Sequence, residues 1–590
     1  MDVQSSVRER FGLPGGVMFG RVLSASSLFI IAMAARAVTI HVPGDRPNIQ
    51  AGLHAADRGD TVLVAPGTYF GPGNKNIDFG GTDRVLLSQE GPHSTIIDCQ
   101  RDGRAFFFGR GETSAAVIQG FTITNGAVTF DSGGALYCSS ASPTISDCMI
   151  VANSASFDGG ALYCFGASPQ LTDCTLTLNS SDANGGAIYA DIGSSPKLEN
   201  CTVRSNSAAL SGAGLYCGDD SSPTLIASSI SDNSASNNGG GLHCTSSSPL
   251  LTECTIANNS AGRYGAGLYC AHSASPTLIG CVVSGNFAAG NGGGLYCYNY
   301  SSPTLTDCWI HDNRAYSTGG GLRCTESSAP RLRDCSITGN EAATGCGIAC
   351  TESSPTITGC NISNNSGDRS TGGGLFCDAS SPILFNCSIT ENSVELDGGG
   401  LCCTDNSAPV LSHCRISNNS TDLSGAGLYC DASSPRLRNC IISGNHADRQ
   451  GGGSYCTASS APRFYQCTIT DNFANRPGAG LYNWSSSPTL INCILWDDVP
   501  DEISGNGVVA SYCDVQGGFP GQGNIDSNPD FKTFGQYDYV LWPGSPCIDT
   551  GSGADDGVDW DSIHPAYGRA NTPAPDMGAY GGPYNADWLP

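Results

Sequence analysis

GGALYCSSASPTISDCMIVANSAS, Gly133 to Ser156, is one copy of a motif that returns every 25 to 27 residues, fourteen times, and is tracked by its proline from Pro143 to Pro488. A fixed period of this size marks a solenoid, in which each unit packs only on its neighbours. Side chains alternate in direction along a strand. In Leu136-Tyr137-Cys138 the apolar Leu and Cys therefore face inward and Tyr137 outward. A second short strand is expected around Pro143-Thr144-Ile145 and a third around Cys148-Met149-Ile150, with Cys148 and Ile150 inward. Three short strands separated by turns make one triangular coil. Stacked about 4.8 Å apart, fourteen coils give a rod on the order of 65 Å before its caps. Parallel crossovers are right-handed as a rule. The fold class predicted is all-β: a single-stranded right-handed parallel β-helix of about 14 regular coils plus N- and C-terminal caps. A leucine-rich repeat would need its own helical segment and leucine spacing, and neither occurs.

The turns carry their own chemistry. An Asn recurs after the third strand, from Asn153 to Asn472. Asn tolerates left-handed backbone and can stack into side-chain ladders. The Gly-Gly ahead of each first strand permits positive φ and close backbone approach. No helix follows these glycines, so they do not read as a phosphate-binding loop.

The 27 Lys and Arg stand against 53 Asp and Glu, a net charge of -26, which disfavours nucleic acid and anionic lipid as partners and draws cations. Charged residues are only 14%, so Ser, Thr, Asn and Gly must coat most of the surface. Residues 1–37 read as a signal peptide, with Met18 as the true start: an apolar run from Val22 to Ala35 ends in Ala35-Arg36-Ala37, a small-x-small cleavage site. The run is short and serine-rich for a membrane span, so none is expected after cleavage. Residues 38–130 are expected to form the N-terminal cap and first irregular coils, residues 131–500 the regular repeats, and residues 501–590 the C-terminal cap. Asn48 to Asp57 has apolar residues at helical spacing (Ile49, Leu53, Ala56) and is expected to plug the first coil.

The run from Ile40 to Tyr69 resembles the start of pectin-lyase-like right-handed parallel β-helix proteins. The Gly-Gly-x-Leu-Tyr-Cys and Ser-x-Asn-Asn repeats are similar to chlamydial polymorphic outer-membrane protein repeats, and NIDSNPDF, LWPGSPCIDTG and DMGAYGG (from Asn524, Leu541 and Asp576) to the ends of secreted bacterial β-helix proteins. The resemblance implies the fold strongly and the activity weakly, because this scaffold hosts lyases, hydrolases, adhesins and passive surface proteins. The autotransporter form of the family adds a C-terminal barrel, for which this sequence has no counterpart.

Thirty cysteines fall mostly in two columns, at the first-strand position (Cys138 to Cys456) and the third-strand position (Cys148 to Cys493). Buried thiols acting as small hydrophobes and disulfides between coils are both open readings. Cys402 occupies the outward tyrosine position and reads as an exposed thiol; Cys513 and Cys547 could staple the cap. The outward aromatic stripe includes Tyr216, Tyr269, Tyr296, Phe376, Tyr429 and Tyr455, which either stack on one another or contact sugar rings. The stripe breaks at Arg323, near Glu326, Glu352, Asp378, Asp405 and Asp431. In lyases of this fold acidic clusters bind calcium and a basic residue takes a proton from the uronate ring; the resemblance makes Arg323 the candidate base and these carboxylates the candidate Ca2+ ligands. A loop with Asp555, Asp556, Asp559 and Asp561 is a second candidate calcium site. The repeats vary by only two residues in length, which leaves no long loops to wall a cleft. The expectation is an exported bacterial protein, secreted or on the cell surface, monomeric and non-catalytic, for surface display, adhesion or glycan binding with a polysaccharide or cell-surface glycan as partner. The competing expectation is a polysaccharide lyase or hydrolase acting on acidic glycans.

Overall fold

The computed structural model describes residues 37–534, 537–542, 544–552 and 576–579. The expected signal peptide and the loop from Asp555 to Asp561 lie outside the described residues, apart from Ala37. From Thr39 to Val515 the chain winds as a parallel β-solenoid with three long sheets. The first sheet contains Leu136–Ser139 and its in-register copies, the second Thr144–Ser146, and the third Met149–Val151. Register is exact from coil to coil: Leu136 pairs with Leu162, Tyr137 with Tyr163 and Cys138 with Cys164. The sheets hold 17, 19 and 18 strands, more than fourteen coils require. The extra strands come from the irregular first coils expected within residues 38–130, such as Thr61–Val64, Gly67–Phe70 and Ile77–Asp78, and from one further coil, Ile503–Gly505, Val509–Ser511 and Asp514–Val515, in the stretch expected as the C-terminal cap. A short outer strand such as Ser154–Ala155 adds a fourth, narrow layer after the third, in two runs of eight and five strands.

The interior is one continuous apolar column, with Leu136, Cys138, Ile145 and Ile150 and their copies buried. Each corner of the triangle is closed by its own hydrogen-bonded column. Between the first and second sheets a serine ladder runs from Ser301 to Ser486, each backbone N–H donating to the next coil's serine Oγ. Between the second and third sheets the column is cysteine: Cys148 Sγ donates to Ser146 O at 3.2 Å, and the pattern continues to Cys513. Between the third and fourth sheets stands the asparagine ladder. Asn153 Nδ2 and N both donate to Asn179 Oδ1 at 3.0 Å, and Asn179 Nδ2 also donates to Ile150 O at 2.9 Å. Each buried amide thereby uses both donors and both lone pairs, the condition under which polar burial stabilises. The left-handed backbone expected of these asparagines belongs instead to the preceding residue, such as Ala152 at φ 55°.

Two glycines illustrate the turn before the first sheet. Gly133 has φ 74°, and a methyl on Gly134 would strike the carbonyls of Gly160 and Ser154. Where alanine takes the second place, as in Ala213, Ala266 and Ala426, glycine follows at Gly214, Gly267 and Gly427.

The N-terminal helix forms at Ile49–Ala55, capped by Asn48 accepting from Ala51 N at 2.8 Å, with Ile49 and Leu53 buried against the first coil. The C-terminal part does more than close the end. After a last coil through Val515, an antiparallel hairpin (Phe531–Phe534 and Tyr537–Leu541) and residues 544–552 and 576–579 fold back over the outer face of the third sheet. Arg415 meets Asp538 at 3.2 Å, Tyr539 Oη donates to Asp471 at 2.8 Å, and Asn492 Nδ2 donates to Ser552 O at 2.9 Å. That is why Ile441 and Ile494, which point outward, are buried.

Candidate functional site

The outer face of the first sheet carries the aromatic stripe and Arg323, because the parallel register places one residue of each coil in one column. Phe107, Tyr137, Tyr163, Tyr189, Tyr216, His243, Tyr269 and Tyr296 form an unbroken stack with ring centroids 4.7 to 5.5 Å apart. A second stack joins Tyr429, Tyr455 and Tyr482 at 5.3 Å. Within a stack the inner rings have both faces covered by their neighbours, so the faces that would hold a sugar ring are already occupied there; Phe376, between Ala349 and Cys402, stacks on no aromatic ring of the column. Tyr269 and Tyr296 go further and are buried, at 8% and 7% exposure, under Tyr264 and Tyr298. The expectation that these two offer a ligand surface is therefore corrected: large side chains beside the stripe cover them. His243, at the tyrosine position, is kept neutral by burial, which pulls it down to about 3.

Downstream of Tyr296 the column reads Arg323, Ala349, Phe376, Cys402, Tyr429. Arg323 Nη1 donates to Thr351 Oγ1 at 2.9 Å, across the gap that Ala349 leaves. Thr351 Oγ1 donates to Asp378 Oδ2 at 3.4 Å, and Thr404 Oγ1 reaches Asp378 Oδ1 at 3.3 Å. Burial, then the neighbouring Asp405 carboxyl, hold Asp378 above the usual carboxylate range. The structure thus links Arg323 to Asp378 through Thr351, a residue the sequence reading passed over, with Asp405 neighbouring Asp378. Glu326, Glu352 and Asp431 do not join it. The five carboxylates fall on successive coils along about 19 Å, with Glu326, Glu352 and Asp405 on exposed left-handed turns. Calcium takes six to eight oxygens around one point. Among the described residues no three carboxylate, imidazole or thiol groups converge on one, so the proposed calcium set does not fit.

Cys402 is corrected too. It lies fully buried between Phe376 and Tyr429, against the Gly398 turn, and burial keeps its thiol protonated. All thirty cysteines are free and buried. Cys513 and Cys547 are not joined: Cys513 donates to Ser511 O at 3.3 Å, and Cys547 to the buried Asp514 at 3.0 Å.

The pattern for the right handed beta helix region matches four overlapping stretches, residues 89–282, 186–362, 240–397 and 320–495. No curated protein matches the chain. Among solved structures, it is similar to a mannuronic acid specific polysaccharide family 6 lyase from human gut microbiota, at 13% identity and TM-score 0.30, over 68% of this chain and 86% of that one. It is also similar to pectate lyase Pel9A, at 11% identity and TM-score 0.18, over 93% and 97% of the two chains. A third is the A-module of the Azotobacter vinelandii mannuronan C-5 epimerase AlgE6, at 12% identity and TM-score 0.19, over 79% and 92%. With matched stretches that together run from residue 89 to residue 495, on a parallel three-sheet solenoid, the chain belongs to the right-handed β-helix family.

Proposed function

We propose that this protein is an exported, non-catalytic β-helix rod of a bacterium that works by extended contact, in surface display or adhesion, with a polysaccharide or cell-surface glycan as its partner. The observation that carries this reading is the repetition of small hydroxyl side chains in register on the outside. Ser154, Ser180, Ser207, Ser234 and Ser260 form one such column, and Thr277 and Thr304 stand in another. Such columns present the same groups every 4.8 Å or so, which suits a long repetitive ligand better than a single reacting bond. Sugar contact along the stacks would use the tyrosine hydroxyls and flanking carboxylates such as Asp191 rather than ring faces.

The alternative, a lyase or hydrolase of acidic glycans, draws on the chain from Arg323 through Thr351 to Asp378. Against it, that guanidinium already donates to Thr351. The full chain should be incubated with acidic and neutral polysaccharides, with and without calcium, and followed by co-sedimentation and by the ultraviolet absorbance of unsaturated product. Binding without product is expected. Product formation that disappears in Arg323→Ala would overturn the proposal in favour of the lyase.

A further inference from the structure

The asparagine ladder does not end in asparagine. Its last member, Asn472, donates from both N and Nδ2 to Asp498 Oδ1, at 2.7 and 2.9 Å. Asp498 N–H in turn donates to Glu502 Oε1 at 3.1 Å. Both carboxylates are buried, at 5% and 6% exposure, and their remaining oxygens, Asp498 Oδ2 and Glu502 Oε2, receive no hydrogen bond from any described group. Asp497 and Asp501, both acidic, raise Glu502 further. The preceding coil brings Asn472, Gly478 and Gly480 to this turn, none of them charged. Two ionised carboxylates side by side, out of water and without a cation, repel strongly. A single proton between them removes one charge and gives both orphaned oxygens a partner.

The ladder explains why an acid stands here. Every asparagine accepts from the coil before and donates to the coil after. The terminal residue has no asparagine beyond it, so an acceptor is needed and a second donor is not. The aligned amides also present their N–H ends to this position, as a helix N-terminus presents its own to a capping Asp.

We propose that Asp498 and Glu502 share one proton, and that this acid pair is a pH-sensitive latch holding the C-terminal coil to the solenoid. Burial raises both groups above the carboxylate range, Glu502 to about 7. The direction follows from linkage. A carboxyl whose folded value lies above its unfolded value stabilises fully in acid, below the unfolded value, and that contribution is lost as pH rises through the folded one. On loss, the proton goes to solvent and two facing anions remain. The strand most affected is Ile503–Gly505, the last of the first sheet, which pairs with Leu481–Asn483.

The test is hydrogen exchange on the full chain from about pH 5 to about pH 8, comparing amides of Ile503–Gly505 with those of Leu295–Cys297 after correction for intrinsic rates. The ratio should rise roughly tenfold in the native chain and stay flat in Glu502→Gln and Asp498→Asn, each of which supplies a neutral N–H donor in place of the proton. Infrared spectra of the native chain should show a carboxylic-acid carbonyl band near neutral pH that Glu502→Gln removes. A flat ratio in the native chain, a rise that persists in both variants, or no such band would overturn the latch. So would suppression of the rise by added calcium or potassium, which would make the occupant a cation.

Discussion

The two cysteine columns look alike in sequence, but their surroundings predict very different responses to the same substitution. Cys281 belongs to the corner column: its one S–H has two carbonyl acceptors in reach, Ile279 O at 3.4 Å and Leu251 O at 3.5 Å. Serine already takes this place once. Ser228 Oγ donates to Ile226 O at 2.9 Å and accepts from Cys201 N at 3.1 Å. Cys281→Ser therefore exchanges a weak donor for a stronger one and should change local stability by no more than about 0.5 kcal/mol. Cys297 sits in the strand column, fully buried, with Cys270 and Cys324 as its in-register neighbours. A hydroxyl there is buried with only thiols for company, at a cost of about 2 kcal/mol. Because each coil packs only on its neighbours, the loss should stay local. The assay is amide exchange in the full chain, with each variant read at its own strand. Exchange at Leu295–Cys297 should accelerate about 30-fold in Cys297→Ser, and at Val282–Ser284 by no more than about twofold in Cys281→Ser. Equal effects in the two columns would refute the distinction between a packing thiol and a hydrogen-bonding one.

Other consequences can be checked on the same chain. Gly134→Ala should destabilise its coil by about 3 kcal/mol or more through collision with two carbonyls, whereas the double change Gly134→Ala, Ala135→Gly, which reproduces Gly212-Ala213-Gly214, should recover most of the loss in urea titrations. Asn313→Ala removes the acceptor of Asn286 N and Nδ2 and the donor to Val283 O and Asn340 Oδ1. It should cost about 3 kcal/mol and open exchange on both flanking coils, while Thr304→Ala on the outside should leave exchange unchanged. Burial pushes Asp514 up to about 6, beside Cys547. Its folded value exceeds the unfolded one, so its stabilisation is complete below about pH 4 and is lost as pH rises through about 6. Protease cleavage of the segment after Val515 should therefore speed up over that range, and Asp514→Asn should flatten the profile.

The coil was legible because period and alternation act together. Leu136 and Cys138 had to share a face, and fourteen spaced prolines set the pitch. What escaped reading depends on neighbours that sequence order does not bring together. The first coils, expected to be irregular, pair in register with one another and with the repeats, because Val62, Leu86 and Ile118 supply the same inward column as Ile145. Tyr269 looked outward and is outward; its burial comes from Tyr264 and Tyr298, one before the strand and one in the next coil. Cys402 looked exposed because the tyrosine column is outward, but its short side chain lies below its aromatic neighbours. Tyr298 carried no signal of its own, because the place after the strand-cysteine position holds Ser139, Thr245 and Ala271 but also Phe165 and Trp484.

In a stack where every inward position is fixed by its copies above and below, a change inside is felt by three coils and a change outside by almost none. Outward columns are therefore where a sequence can vary cheaply, and the departures from Ser and Thr on this coat are worth more attention than its regularities. They are spread along the rod, and several fall between Tyr296 and Arg333. Trp309 stacks on His311 at 3.8 Å, Tyr316 is largely exposed, and Arg323, Arg331 and Arg333 bring positive charge to a strongly acidic chain. None of these side chains is needed to close a corner or fill the core. Three of them hold on to the coat through local partners instead: Trp309 Nε1 donates to Thr338 Oγ1 at 3.0 Å, Arg323 Nη1 to Thr351 Oγ1 at 2.9 Å, and Arg333 Nε meets Asp334 at 3.2 Å, so replacing any of these should leave the sheets in register.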